Sequence, residues 1–126
     1  MLQEYITLVH ALFRVAIPFS LIPSGATPFE LDHLLRTSEV SRLIIHPSLL
    51  PQALEAAHKL GLSDDRIYLI EGRAPGRVTL SQAIREVRNR NVPRVPTKPI
   101  KRDSLAYLVF SSGTSGLPKG ESEDAH

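Results

Sequence analysis

Residues 106–120 read AYLVFSSGTSGLPKG. An apolar run, Leu108, Val109 and Phe110, passes directly into a segment of Ser, Gly, Thr, Pro and Lys. Taken alone, SSGTSG has the composition of a flexible linker. Its flanks point instead to a loop that holds phosphate. A polyphosphate needs many donors, little steric bulk and positive charge nearby. Gly113, Gly116 and Gly120 let the backbone approach closely and turn its N–H groups inward. Ser111, Ser112, Thr114 and Ser115 add hydroxyl donors. Lys119 brings a charge on a long stem, and Pro118 stiffens the exit. The preceding strand fixes one end. The pattern is not a Walker loop, because Lys119 is preceded by Pro118 and followed by Gly120, and it is not a dinucleotide fingerprint.

Working back along the chain, helix and strand signals alternate. The capping box Thr27 to Glu30, with Pro28 at the first helical position, predicts a helix that puts Leu31, Leu34 and Leu35 on one face. RLIIH, 42–46, reads as a buried strand. In the next helix Leu50, Ala53, Leu54 and Ala57 share a face, and Gly61 is its stop. RIYLIE, 66–71, is a further short strand. Thr79 and Gln82 form a second capping box, ahead of Leu80, Ala83, Ile84 and Val87. Residues 92–103 carry Pro93, Pro96 and Pro99, a spacing that favours an extended left-handed connector. SLAYLVF, 104–110, is the last strand before the loop. This order predicts an α/β fold with alternating strands and helices around a mainly parallel sheet. In such sheets ligands lie beyond the carboxyl ends of the strands, where the loop sits.

Composition narrows the chemistry. A chain of 126 residues suits one modest domain with a real core. It has no Cys, which excludes a disulfide framework, thiol catalysis and zinc–thiolate sites. Its five His lack metal-ligand spacing, so no metal ligand is assigned. The apolar stretch 5–22 holds Arg14, which costs about 2.5–3.5 kcal/mol at a bilayer centre, and Pro18, which breaks a spanning helix. It carries no basic start for a signal peptide. It reads as a core helix and a core strand, and the expected location is intracellular, cytoplasmic or peroxisomal. The ending DAH is not a peroxisomal address.

The run 106–120 closely resembles the signature of the adenylate-forming, or AMP-binding, superfamily. This superfamily includes acyl-CoA synthetases, 4-coumarate–CoA ligases, luciferases and nonribosomal peptide adenylation domains. The resemblance extends over residues 5–120, and PSGATPFELDHLLRTSEVSRLIIHPSLLPQALEAAHKLGL looks like the corresponding 4-coumarate–CoA ligase-like segment. Pro23-Ser24 stands where those enzymes typically have Asn-Pro. The resemblance implies part of the large N-terminal domain of an ATP-dependent acid–CoA ligase. There a carboxylate attacks the α-phosphate of ATP, giving an acyl-adenylate and pyrophosphate, and CoA then takes the acyl group. By carry-over Ser111, Ser112, Gly113, Thr114, Ser115, Gly116 and Lys119 bind ATP, accompanied by Mg²⁺ with no assignable ligand. Their role is to grip the β- and γ-phosphates. No catalytic residue is assigned.

On this reading residues 1–120 form a partial AMP-binding region containing the 92–103 connector, and 121–126, ESEDAH, form an acidic tail outside the family pattern. Family members continue from the loop into an apolar strand of the Val-Met-x-Ser-His kind. ESEDAH lacks an apolar run, and His126 is one place out of register. The expectation is a truncated product whose outgoing strand is missing, whose loop frays, and which binds ATP at millimolar concentration or worse without catalysing.

Two other readings compete. Residues 85–102 hold seven Lys or Arg (85, 88, 90, 94, 98, 101, 102) against the single acid Glu86. A nucleic-acid module is the sharp interpretation and a solvated basic face the ordinary one. No aromatic residue interleaves for base stacking, which disfavours the first. A non-catalytic interaction fragment is the other reading. Neither the carboxylic acid nor the oligomeric state is legible.

Overall fold

The computed structural model describes residues 2–112 and 118–124, with side chains described through residue 109. In chain order the elements are α1 (Leu2–Arg14), β1 (Phe19–Ser20), α2 (Pro28–Thr37), β2 (Leu43–Ile45), α3 (Leu50–Lys59), β3 (Ile67–Leu69), α4 (Leu80–Asn89), β4 (Leu105–Ser112) and β5 (Pro118–Asp124). Strands and helices alternate as the sequence predicts, and the crossover-connected pairs are parallel. They fall into two sheets: β2 pairs with β3, while β1, β4 and β5 form a three-stranded sheet in the order β1-β4-β5.

Both predicted capping boxes form. At α2 the Thr27 N–H donates to Glu30 Oε2 at 2.8 Å, and the Glu30 N–H donates to Thr27 Oγ1 at 3.2 Å. At α4 the Thr79 N–H donates to Gln82 Oε1 at 2.9 Å, and the Gln82 N–H donates to Thr79 Oγ1 at 3.1 Å. Each box satisfies two backbone donors that a helix start otherwise leaves open. Gly61 follows α3 with φ +74, the left-handed conformation of a residue just past a helix end.

The core lies between the β2–β3 pair and helices α2 and α3. Leu31, Leu35, Leu43, Ile45, Ala53, Ala56, Ala57, Leu62, Ile67 and Leu69 form one buried cluster. Leu31, Leu34 and Leu35 are buried as their spacing predicts. On α3 the small residues Ala53, Ala56 and Ala57 are fully covered, whereas Leu50 and Leu54 pack partly buried at its margin. Alanines let the helix axis approach the sheet closely, so the longer side chains lie along the edges of the contact.

Two expectations change. Residues 5–22 predict a core helix, yet no residue of α1 is buried. Leu2, Tyr5, Ile6 and Phe13 are exposed. The reason is position: the buried cluster is built around β2 and β3, whereas α1 meets the other sheet through Phe13. Helix α4 likewise has no buried residue; Leu80, Ala83 and Ile84 are half-buried and Val87 is exposed. The proline-bearing residues 92–101 belong to no helix or strand, as predicted.

Candidate functional site

Strand β4 carries the start of the signature sequence, and β1 anchors it on one side. Phe19 pairs with Tyr107 and Ser20 with Leu108 in parallel register. Three rings lock that junction. Phe19 stacks on Tyr107 with centroids 5.9 Å apart, and Phe13 of α1 meets Phe19 edge-on at 5.1 Å. Phe13 also meets Tyr107 edge-on at 6.3 Å. Ring pairs of this kind contribute about 0.5–1.5 kcal/mol each beyond the area they bury. The sequence contains these aromatics but gives no local signal that they converge.

On its other side β4 pairs with β5. The antiparallel register runs from Leu105↔Asp124 through Val109↔Glu121 and Phe110↔Gly120 to Ser111↔Lys119 and Ser112↔Pro118. This corrects the expectation that the outgoing strand is missing: residues 118–124 form it. The physical reason is that ladder bonds are made by main-chain groups. A polar edge strand therefore pairs without the apolar alternation that announces a strand in sequence.

Of the candidate site residues, Ser111 and Ser112 end β4, and Lys119 lies on β5 directly opposite Ser111. The strand ladder thus brings Ser111 and Lys119 together at the carboxyl end of β4. Gly113, Thr114, Ser115 and Gly116 lie outside the described residues. Among the described residues no cluster of His, Cys, Asp or Glu is suited to hold a metal ion. No helix among them is long and apolar enough to cross a membrane.

The fold and site together define an α/β unit in which a strand, held by a parallel neighbour, delivers a Ser/Gly/Thr/Lys signature at its carboxyl end. The chain belongs to the AMP-binding enzyme family, whose sequence model matches residues 1–120. It is 29% identical over 123 residues to the acyl-CoA ligase AKT1 of Alternaria alternata, covering 92% of this chain and 21% of that protein. Its fold matches that of the anthranilate CoA ligase AuaEII in complex with anthranoyl-AMP at TM-score 0.80 and 24% identity, over 96% of this chain and 23% of that one. A red-emitting luciferase from Phrixothrix hirtus matches at TM-score 0.82 and 19% identity, over 96% of this chain and 30% of that one. The chain therefore spans about a fifth of the length of this acyl-CoA ligase and of the CoA-ligase structure.

Proposed function

We propose that this chain is the phosphate-loop portion of an ATP-dependent acid–CoA ligase, of the 4-coumarate–CoA ligase-like kind, and does not catalyse by itself. The observation that carries the proposal is the family match over residues 1–120, which takes in the whole signature sequence. The anchored β4 and the opposed positions of Ser111 and Lys119 support it. In this reading Ser111, Ser112, Gly113, Thr114, Ser115, Gly116 and Lys119 hold the β- and γ-phosphates of ATP, with Mg²⁺ accompanying the nucleotide. Positive charge and fixed N–H donors stabilise the charge that develops on departing pyrophosphate. The carboxylate substrate and CoA bind outside these residues. Residues 121–126 stand apart from the family pattern, and the working compartment is cytoplasmic or peroxisomal.

A loop transplant tests the ligase role. Residues 111–120 replace the corresponding loop of an active acyl-CoA ligase, and ATP–pyrophosphate exchange is measured. The expected chimera keeps exchange, and Lys119→Ala within the graft lowers it at least tenfold, about 1.4 kcal/mol of transition-state stabilisation. An inert graft in a folded host overturns the loop assignment. The isolated chain is expected to bind ATP only at millimolar concentration, because one phosphate loop supplies few of the contacts a nucleotide needs. A micromolar isotherm lost in Lys119→Ala overturns the inactive-alone part.

The second reading is an interaction fragment or nucleic-acid module using residues 85–102. It draws on the exposure of every residue from 85 to 103. Steep salt dependence of DNA or RNA binding is its measurement.

A further inference from the structure

The connector between α4 and β4 has a use that the phosphate loop does not absorb. Residues 92–101 run VPRVPTKPIK, belong to no helix or strand, and are exposed throughout. Among the described residues, no backbone hydrogen bond joins one member of 93–100 to another, as expected of a polyproline II segment. Among the described residues two backbone bonds tie it to the body: the Val92 N–H donates to the Val87 carbonyl of α4 at 3.2 Å, and the Lys98 N–H donates to the Arg14 carbonyl at 3.1 Å at the end of α1. At the far end the Lys101 N–H donates to Ser104 Oγ at 3.0 Å. The segment is thus held extended at discrete points while its side chains face solvent, including Val92, Val95 and Ile100, at 48%, 63% and 52% exposure.

Proline at every third position puts Pro93, Pro96 and Pro99 on one ridge of a three-residue-per-turn helix. Two overlapping Pro-x-x-Pro-x-Lys repeats result: Pro93, Pro96 and Lys98, then Pro96, Pro99 and Lys101. Each places two prolines for an aromatic-lined groove and a cation two residues beyond the second. Arg90, Pro93 and Pro96 spell the reversed arrangement, with the cation first. The backbone disfavours it. Arg90 is the C-cap of α4 and Asn91 has φ 50, so the chain turns before the extended run begins.

We propose that residues 93–101 are a docking segment for an SH3-type domain, one with an aromatic-lined proline groove beside an acidic pocket. The prolines fill the groove, and Lys98 or Lys101 enters the acidic pocket according to register. A preformed polyproline II segment loses little conformational freedom on docking, which makes so short a contact worthwhile. The surplus of cations over residues 85–102 complements an acidic partner surface and speeds encounter at low salt. None of this depends on the ligase reading.

The test titrates the full chain into a panel of isotope-labelled SH3 domains that select Pro-x-x-Pro-x-Lys or Pro-x-x-Pro-x-Arg ligands. Binding is followed by chemical shift changes at their groove aromatics. Pro96 serves both registers, so Pro96→Ala is expected to weaken binding at least tenfold. Pro93→Ala and Pro99→Ala each remove one register and weaken it only a few-fold. Lys98→Glu combined with Lys101→Glu abolishes binding while leaving the prolines intact. All these positions are exposed, and unchanged circular dichroism of each variant confirms that the fold is kept. The proposal is overturned if every domain fails to bind. It is equally overturned if binding survives Pro96→Ala, or is simply competed away by duplex DNA with no groove shifts, which marks the segment as a polyanion site instead.

Discussion

Gly72 is the residue at which backbone and packing constrain the sequence together. Its φ of +75 lies in the left-handed region, and a Cβ there falls 2.7 Å from Pro47 Cγ. Gly76 has nearly the same backbone, φ +70, with nothing within 4 Å. The pair separates two costs that usually arrive together. Gly76→Ala carries the conformational penalty alone, about 1–2 kcal/mol. Gly72→Ala adds an overpacking term of about 1–3 kcal/mol, because the ring of Pro47 begins the turn leading into α3 and has little room to retreat. Urea unfolding of the two variants is expected to rank Gly72→Ala clearly below Gly76→Ala. Equal midpoints refute the contact with Pro47 as the source.

At the scale of elements, the β1–β4 junction is the support on which the candidate site rests. Two residue pairs form the β1–β4 ladder, so its side chains matter more than its backbone bonds. Phe19→Ala removes the stack on Tyr107 and the edge contact with Phe13. The expected loss is about 2 kcal/mol, with faster amide exchange along β4 and little change in β2 and β3. Uniform acceleration across both sheets argues that the molecule opens as one unit and that the junction has no local role. Helix starts, the faces of α2 and α3, and the extended connector were legible because each is a local pattern of capping residues, apolar spacing or prolines. The β1–β4 pairing was not, since Phe19 and Tyr107 lie near opposite ends of the chain and nothing local marks them as partners. Strand β5 was illegible for a different reason: Gly120, Glu121, Ser122, Glu123 and Asp124 have poor strand composition, and main-chain pairing decides the outcome. At the site itself the residue types prompt the phosphate-loop proposal from sequence alone, while the opposition of Ser111 and Lys119 required the ladder.

For the whole molecule, charge placement sets how stability responds to acid. Among the described residues six carboxylates, Glu4, Glu30, Asp32, Glu55, Asp64 and Glu71, sit below their ordinary range in the folded state, and four of them owe this first to the partners that follow. Asp64 is held down first by His58, which lies 2.6 Å from Oδ1, and also by Arg77, whose Nη2 donates to Oδ2 at 2.9 Å. Asp32 is lowered by Arg36, bonded at 2.9 Å, and Glu55 by Lys59 at 2.8 Å. Glu30 is lowered by the Thr27 backbone N–H within the capping box. A depressed folded pKa means that the folded state binds fewer protons than the unfolded state between the two values. Stability therefore rises with pH through that window. The contribution is fully present above the unfolded carboxylate values, about 4, and is lost as pH falls through the folded ones. Urea midpoints measured from pH 6 down to pH 2.5 are expected to hold level and then decline below about pH 4. The partners also predict how salt acts. Asp32 and Glu55 depend on exposed ion pairs, so 1 M salt, with a Debye length of about 3 Å, flattens their share of the decline, whereas Asp64, paired with His58 at the surface and with Arg77, whose side chain is 8% exposed, loses less of its share. Glu30 depends on a short hydrogen bond inside the cap, so its share persists in salt and disappears in Glu30→Gln, whose amide oxygen still accepts from the Thr27 N–H. A decline unchanged by both salt and Glu30→Gln places the acid sensitivity elsewhere and refutes this assignment.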